Sequence, residues 1–461
     1  MSGLAWQLGS ILSGLLLVFC GGIHIGWSIF HLYMTGNKWM IGITVDEYRF
    51  AILSFFTGVG FILIMLTFAK EWLSTRIWLM LSSFFFVING IFFIAMPVDY
   101  IATVITRIIA GFGHGIAHLC MSIYIGETAA KHLRGKLVTL MTASIIAGVA
   151  VFSVISMVTT NIIYIIEPEM HPNRALGIII LPLSCAAFFL AFFLTVESPI
   201  HTLSSRKDEG MALSNLLKLR GLSVENTEVT QEFNDMKLLV AESNMLSKIF
   251  VTEGNFKPFQ LVLTLKLANL LFFNYSMNIA KMMLMSLMFT LTLEGINWAP
   301  SILMLSKLVA AVFAIFIIDV LPRRFQYAIS STFTGAFLLA FGIVLATYDI
   351  IEPWLPPFMY ITAEVFQALG MLPVSEILLS EAFPPKKKVL SVASVLICEY
   401  VGHMVVYIIY FNVPSTLQNT YIKTIVFGSV ILLKCLIGIL VIPDTRRTTP
   451  REAVQLLSKG H

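Results

Sequence analysis

Charge is what this sequence has least of. Of its 461 residues, 12% are Asp, Glu, Lys or Arg, against about 25% in a typical water-soluble domain. With 57% hydrophobic residues and a mean hydropathy of +0.87, too little polar surface remains to cover a body in water. An ordinary soluble enzyme or binding module is excluded. Cysteine is sparse as well. Cys20, Cys120, Cys185, Cys398 and Cys435 all fall in apolar runs and read as small buried hydrophobes, not as a disulfide framework. The first apolar run has no basic stretch ahead of it and is long enough to span, so a signal anchor is expected instead of a cleaved signal peptide. Metal-ligand triads, nucleophile elbows and phosphate loops are missing too, so neither enzyme chemistry nor a resident cofactor, metal or nucleic-acid partner is expected.

What is there is a series of long, continuous apolar runs. A helix needs ~20 such residues to cross a bilayer, and inside lipid the backbone must satisfy its own hydrogen bonds, which leaves helices or closed barrels. The runs do not alternate, so they predict helices, near 8–32, 50–68, 77–96, 101–123, 137–158 and 175–195. A second set follows near 258–280, 299–319, 327–347, 357–379, 389–411 and 421–442. Between the sets lies the one sizeable polar segment, 197–257, where Asp208–Leu219 and Glu232–Leu246 carry helical amphipathic spacing. Placing both termini in the cytoplasm puts 21 of the 30 basic residues in inner segments, as the positive-inside rule asks. The expected division is a first six-helix bundle (1–196), a linker with short amphipathic helices (197–257), a second bundle (258–443) and a short tail (444–461). Two such halves joined by a linker are the pattern of a transporter with its solute site between them near the midplane.

Acid-plus-base clusters recur at matching helix ends. Gly126-Glu127 and Arg134-Gly135 follow span 4, while Ser380-Glu381, Pro384 and Lys386–Lys388 follow span 10. Asp319 with Arg323 and Arg324 follows span 8, echoed by Glu71 and Arg76 after span 2. Glu197-Ser198-Pro199 follows span 6, echoed by Pro443-Asp444-Thr445 after span 12. A simple excess of inner Lys and Arg explains the bases but not the matched acids.

On these residues the chain resembles the sugar porter family of the major facilitator superfamily. Arg107-Ile-Ile-Ala-Gly111-Phe-Gly113-His-Gly115, then Tyr124-Ile-Gly126-Glu127 and Arg134-Gly135, is similar to the family's span 4 pattern. Asp319-Val-Leu-Pro-Arg323-Arg324 resembles the acid–x–x–Gly–Arg–Arg motif with Pro322 in place of Gly, and Val196-Glu197-Ser198-Pro199 resembles Pro-Glu-Ser-Pro. Leu219-Arg220-Gly221 and Gly22…Gly26-Trp27-Ser28 also fit. The resemblance implies an all-α membrane protein, twelve transmembrane helices in two pseudo-symmetric six-helix bundles. It further implies inter-bundle salt bridges that close the cytoplasmic side, drawn from Arg107, Glu127, Arg134, Glu197, Asp319, Arg323, Arg324, Glu381 and Lys388.

The pocket departs from the family. Where sugar porters orient hydroxyls with amides and Trp, the aligned positions here hold Thr142, Asn269, Tyr275 (beside Asn274), Glu376, Glu399 and Tyr400. A charge near the bilayer centre costs ~2.5–3.5 kcal/mol on insertion scales and normally faces a bundle interior or a wet cavity. Lys266, Lys307, Glu364, Glu376, Glu399, His403 and Lys434 all lie within expected spans. Glu399 and His403 are four residues apart, hence on one face of span 11, with Glu376 on the neighbouring span. A polar cluster able to bind a cation or take up a proton is expected there. The lysines have a blander reading, as snorkelling or locally paired side chains, and the run Met282–Met288 reads as adaptable packing instead of metal binding. The sequon Asn274-Tyr275-Ser276 lies inside a span and is out of reach of glycosylation.

The expected function is therefore secondary transport of a small polar solute, a sugar by default, by a monomer in the plasma membrane, with the lipid bilayer and protons as its other partners. The alternatives are a carrier of organic cations or other charged metabolites and a transport-inactive nutrient sensor.

Overall fold

Within the described residues the long apolar runs form helix in the computed structural model of the chain, which describes residues 3–34, 44–68, 74–162, 171–245, 253–270, 299–347, 354–412 and 417–459. The first half is α1 (Gly3–Met34), α2 (Val45–Phe68), α3 (Thr75–Ala95), α4 (Tyr100–Thr128), α5 (Arg134–Ile162) and α6 (Pro172–Leu194). Two polar helices follow, α7 (Glu209–Arg220) and α8 (Thr227–Met245). The second half is α9 (Glu253–Leu270), α10 (Ala299–Ile317), α11 (Arg323–Thr347), α12 (Leu355–Glu381), α13 (Pro385–Asn412) and α14 (Leu417–Val441), and α15 (Pro450–Lys459) closes the chain. Among the described residues ten helices are long and apolar enough to cross a membrane, and Ser301–Ile317 is a shorter apolar helix.

Local chemistry sets several ends. Asp99 caps α4 by accepting from Ala102 N at 2.6 Å, and Asp208 caps α7 by accepting from Met211 N at 2.8 Å. Both satisfy backbone donors that an unpaired helix start would leave orphaned. Helix α8 begins at Thr227, ahead of the amphipathic stretch that starts at Glu232, because Asn226 Oδ1 accepts from Val229 N at 2.8 Å and caps it.

The halves repeat a packing device. Gly90 of α3 faces Gly177 of α6, and Gly335 of α11 faces Gly428 of α14. Without side chains at these points the paired helices approach backbone to backbone, the contact by which helices associate in lipid. Spans 3 and 6 of one half thus correspond to spans 9 and 12 of the other. Between halves, α5 packs on α10 and α2 on α13. The polar helices form a small core of their own at one end of the bundles, around Ala212, Leu216, Phe233 and Met236, with Val454 of α15 against it. We call this the linker end.

Candidate functional site

The site begins with a break in α12. Pro373 has no N–H, so the carbonyl of Leu369 cannot receive the usual bond from four residues on. Gln326 Nε2 of α11 supplies it instead at 3.1 Å. Ser330 Oγ accepts from Met371 N at 3.0 Å and donates to the carbonyl of Phe366. The turn widens to a π-helix over Gln367–Met371, a feature frequent at functional sites.

Beside this turn, where the two halves meet, lies a cavity of about 100 Å³. Phe56 of α2, His118 of α4, Thr142 and Ile146 of α5 form its first-half wall, and Asn269, Lys307, Glu364, Glu376, Glu399, Tyr400 and His403 its second-half wall. Of the residues expected to bind solute, Thr142, Asn269, Glu376, Glu399, Tyr400 and His403 come together here. Asn274, Tyr275 and Met282–Met288 lie outside the described residues.

The charges in this wall are paired. Lys266, 1% exposed at its side chain, bridges Glu376 of α12 and Glu399 Oε2 of α13, the latter at 3.0 Å. Lys307 Nζ donates to Glu364 Oε2 at 2.6 Å and to Gln367 Oε1 at 2.8 Å. The buried lysines are therefore the counter-charges of the pocket carboxylates, where the sequence had allowed snorkelling. Asn269 Nδ2 donates to Ser375 Oγ at 2.9 Å, while its Oδ1 is buried with no hydrogen-bond partner among the described residues. Thr142 donates to its own helix at Val138 O, 3.3 Å away. The ring of His403 stacks on Phe56 with centroids 5.5 Å apart.

Two residues that sequence reasoning missed complete the cluster. His114 Nε2 and His118 Nδ1 of the first half lie 2.7 and 3.0 Å from the hydroxyl of Tyr400 in the second. His118 Nε2 is 3.5 Å from Glu376 Oε2. Their signal was present, since His114, between Gly113 and Gly115 of the span 4 motif, and His118 are four residues apart and so share one helix face.

A second set of polar contacts joins the halves at the linker end. Arg134 Nη1 of α5 is 3.3 Å from Glu381 Oε1 of α12, and Lys388 Nζ of α13 is 4.0 Å from Glu127 Oε1 of α4. Glu127 also accepts from Ser198 Oγ at 2.6 Å. Glu197 accepts from Thr75 N at 3.0 Å and lies 3.5 Å from His201, so it ties α3 to the segment after α6 within the first half. Asp319 and Arg323 pair with each other at 2.8 Å and press against Gly135, where any Cβ would collide with both. Gly126 lies equally tight against the backbone of Ser380. These two glycines let the halves touch.

Arg324 and Arg107 stand apart from that set. Arg324 is exposed and lies over the ring of Phe325, 4.9 Å away. Arg107 sits on α4 some twenty residues before Glu127, ~30 Å along the axis at 1.5 Å per residue. It is fully buried. Its Nε donates to Ala51 O at 3.0 Å, its Nη2 to Ser28 Oγ at 2.6 Å, and its guanidinium covers the Trp27 ring at 3.8 Å. Carbonyls, a hydroxyl and a π-face of the first half hold this cation, with no carboxylate among those contacts.

Comparison with known proteins places these features in context. The family described as "Sugar (and other) transporter" matches residues 47–456. The chain is 23% identical over 353 residues to the bovine (Bos taurus) solute carrier family 2, facilitated glucose transporter member 5, which covers 75% of this chain and 68% of the relative. It is 27% identical over 167 residues to the mouse (Mus musculus) member 2 of the same series, a match spanning 35% of this chain and 30% of that protein. Among solved structures, the proton:xylose symporter XylE of E. coli bound to 6-bromo-6-deoxy-D-glucose superimposes with a TM-score of 0.80 at 19% identity, covering 98% of this chain and 100% of that one.

Proposed function

The chain belongs to the sugar (and other) transporter family, a membrane-embedded secondary transporter and not an enzyme, and we propose that it carries a small sugar through the cavity beside Thr142, Asn269 and Tyr400. The observation that carries this reading is the position of the cavity. It lies between the halves, and the linker end below it is closed by pairs that cross from one half to the other, Arg134 with Glu381 and Glu127 with Lys388. Breaking those pairs would open the cavity at the linker end, and closing them with the far end open would expose it to the other side. That is alternating access. The linker end is the cytoplasmic one in this reading, from its share of Lys and Arg, in the plasma membrane, and the monomer is the working unit.

A sugar fits the lining better than an organic cation does. The three cavity carboxylates already hold Lys266 and Lys307, so an incoming cation would have to displace a buried ammonium. A neutral polyol needs only acceptors and donors such as Asn269 Oδ1 and Thr142. The test is counterflow in vesicles of reconstituted protein, with labelled D-glucose, D-xylose and tetraethylammonium. Exchange of a sugar and not of tetraethylammonium is expected. Tetraethylammonium exchange without sugar exchange would overturn the substrate class, and folded protein that exchanges none of them would favour the sensor alternative.

A further inference from the structure

At the linker end a second cavity of about 100 Å³ lies between the halves. Trp78 of α3, Cys120 and Glu127 of α4, and His201 and Ser205 after α6 line it from the first half, and Lys388 of α13 from the second. It shares no lining residue with the central cavity. Three polar groups in this wall lack hydrogen bonds. Lys388 is 5% exposed, and among the described residues its ammonium pairs with Glu127 Oε1 at 4.0 Å, beyond hydrogen-bond range. Ser205 Oγ is buried and makes no hydrogen bond among the described residues, and the same holds for His201 Nδ1, 3.5 Å from Glu197 Oε1. The carboxylates nearby are already engaged. Glu127 Oε2 accepts from Ser198 Oγ at 2.6 Å, and Glu197 Oε1 accepts from Thr75 N at 3.0 Å.

A buried polar group without a hydrogen bond is costly, and a buried ammonium more so. An ammonium, a hydroxyl and an imidazole on one cavity call for a group that only accepts and carries negative charge. Phosphoryl oxygens fit, because they take short, charge-assisted bonds from several donors at once. Ser205 lies on the π-turn Thr202–Arg206, a feature frequent at functional sites. The volume matches that of the central cavity and is well under the ~300–1,000 Å³ of sites for drug-sized ligands. That points to one phosphoryl group with at most a single sugar ring, for which Trp78 offers an apolar face, and away from a nucleotide.

We propose that this cavity binds the phosphoryl group of a small solute, a sugar monophosphate or free phosphate, through Lys388, His201 and Ser205. The site stands outside the central cavity and does not depend on the cargo proposed above. Lys388 belongs to one half, and His201 and Ser205 follow the last helix of the other. A ligand bonded to both sides adds a tie across the linker end. Its binding therefore favours the closed linker end, since affinity and conformation are linked. A phosphorylated sugar on that side acts as a brake on transport.

The test uses full-length protein and the native Cys120 of the cavity wall, alkylated and quantified by mass spectrometry. Cys398, exposed and in neither cavity, is the internal control. Glucose 6-phosphate at several times its half-protecting concentration should slow Cys120 alkylation about fivefold and leave Cys398 unchanged. Inorganic phosphate is the second probe. Weaker protection by it assigns part of the affinity to the sugar, and equal protection assigns all of it to the phosphoryl group. D-glucose at the same concentration should protect nothing. Protection by D-glucose equal to that by glucose 6-phosphate, or none by either phosphate, would overturn the site. Lys388→Gln and Ser205→Ala are each read as the ratio of rates with and without ligand, which separates binding from any change in the gate. Each should raise the half-protecting concentration about tenfold, and wild-type ratios in both would overturn the assignment. In vesicles with glucose 6-phosphate on both faces, sugar counterflow should fall over the same concentrations. Undiminished counterflow at full Cys120 protection would overturn the brake.

Discussion

Arg134 Nη1 of the first half lies 3.3 Å from Glu381 Oε1 of the second, and each side chain is 2% exposed. A buried pair is expensive to break from one side, because the remaining charge is left without a partner, at a cost of about 3–5 kcal/mol. The residues belong to opposite halves, so that cost falls on the closed linker end and not on either bundle alone. Glu381→Gln should therefore shift the protein toward the linker-open state. Cys120, which lines a cavity at that end with Glu127 and Lys388, is a native reporter. Its alkylation rate should rise at least about tenfold, since 1.4 kcal/mol is already a factor of ten. An unchanged rate, read by mass spectrometry of the Cys120 peptide, would remove this pair from the gate.

Arg323 and Arg324 are adjacent in the sequence and should differ sharply on substitution. Arg323 is buried, pairs with Asp319 and abuts Gly135 of the opposite half. Arg324 is exposed over Phe325. Arg323→Ala should speed Cys120 labelling and lower the melting temperature, while Arg324→Ala should stay within about 0.5 kcal/mol of the wild type, as surface changes usually do. Equal effects of the two would contradict the distinction.

Asn269 presents a buried Oδ1, without a hydrogen-bond partner among the described residues, in the cavity wall while its Nδ2 is committed to Ser375. A solute hydroxyl donating to that oxygen would contribute about 1 kcal/mol. Asn269→Leu should raise the half-saturating solute concentration roughly five- to tenfold, with a smaller change in maximal rate. The check is concentration-dependent uptake; a variant that loses maximal rate at constant affinity would argue for a structural role instead.

The tail helix carries a pH dependence of known sign. Arg451 Nε donates to Glu242 Oε1 at 3.0 Å and so ties α15 to α8. The hydrogen bond from Arg451 holds the Glu242 carboxyl below its ordinary value of 4.5. A depressed carboxylate stabilises the docked form above its unfolded value and loses that contribution as pH falls through the lower folded one. Protection of the amides across 450–459, taken relative to their intrinsic exchange rates at each pH, should therefore be high at neutral pH and fall in acid below about 4.5. Glu242→Gln should show low protection throughout, with the acid dependence flattened.

The sequence made the spans legible because lipid leaves few choices. A long apolar run must be helix, and the acid-plus-base clusters at helix ends mark which ends face one another. Of the clustered charges, Arg134 with Glu381 and Glu127 with Lys388 pair across the halves, while Glu197, Arg324 and Arg107 do not. The charge of Arg107 in a span demanded a counterpart, but whether that would be an acid or a set of carbonyls depended on Ala51 and Ser28 of other helices. In the pocket, Glu376 and Glu399 stood out as intramembrane acids. Their partner Lys266, separated by 110 residues from Glu376, read equally as a snorkelling or a locally paired lysine, and its acids were not identified.

Thus the sequence by itself determined that this chain is a bundle of membrane helices in two halves, with clustered acids and bases at helix ends and costly charges in the middle. Helical period and desolvation cost are local properties, and each residue declares them alone. Only the tertiary structure decided who neutralises whom. His118, Lys266, Glu376 and Glu399 come from four helices, and a counter-charge is chosen by distance in space, which spacing along the chain does not encode.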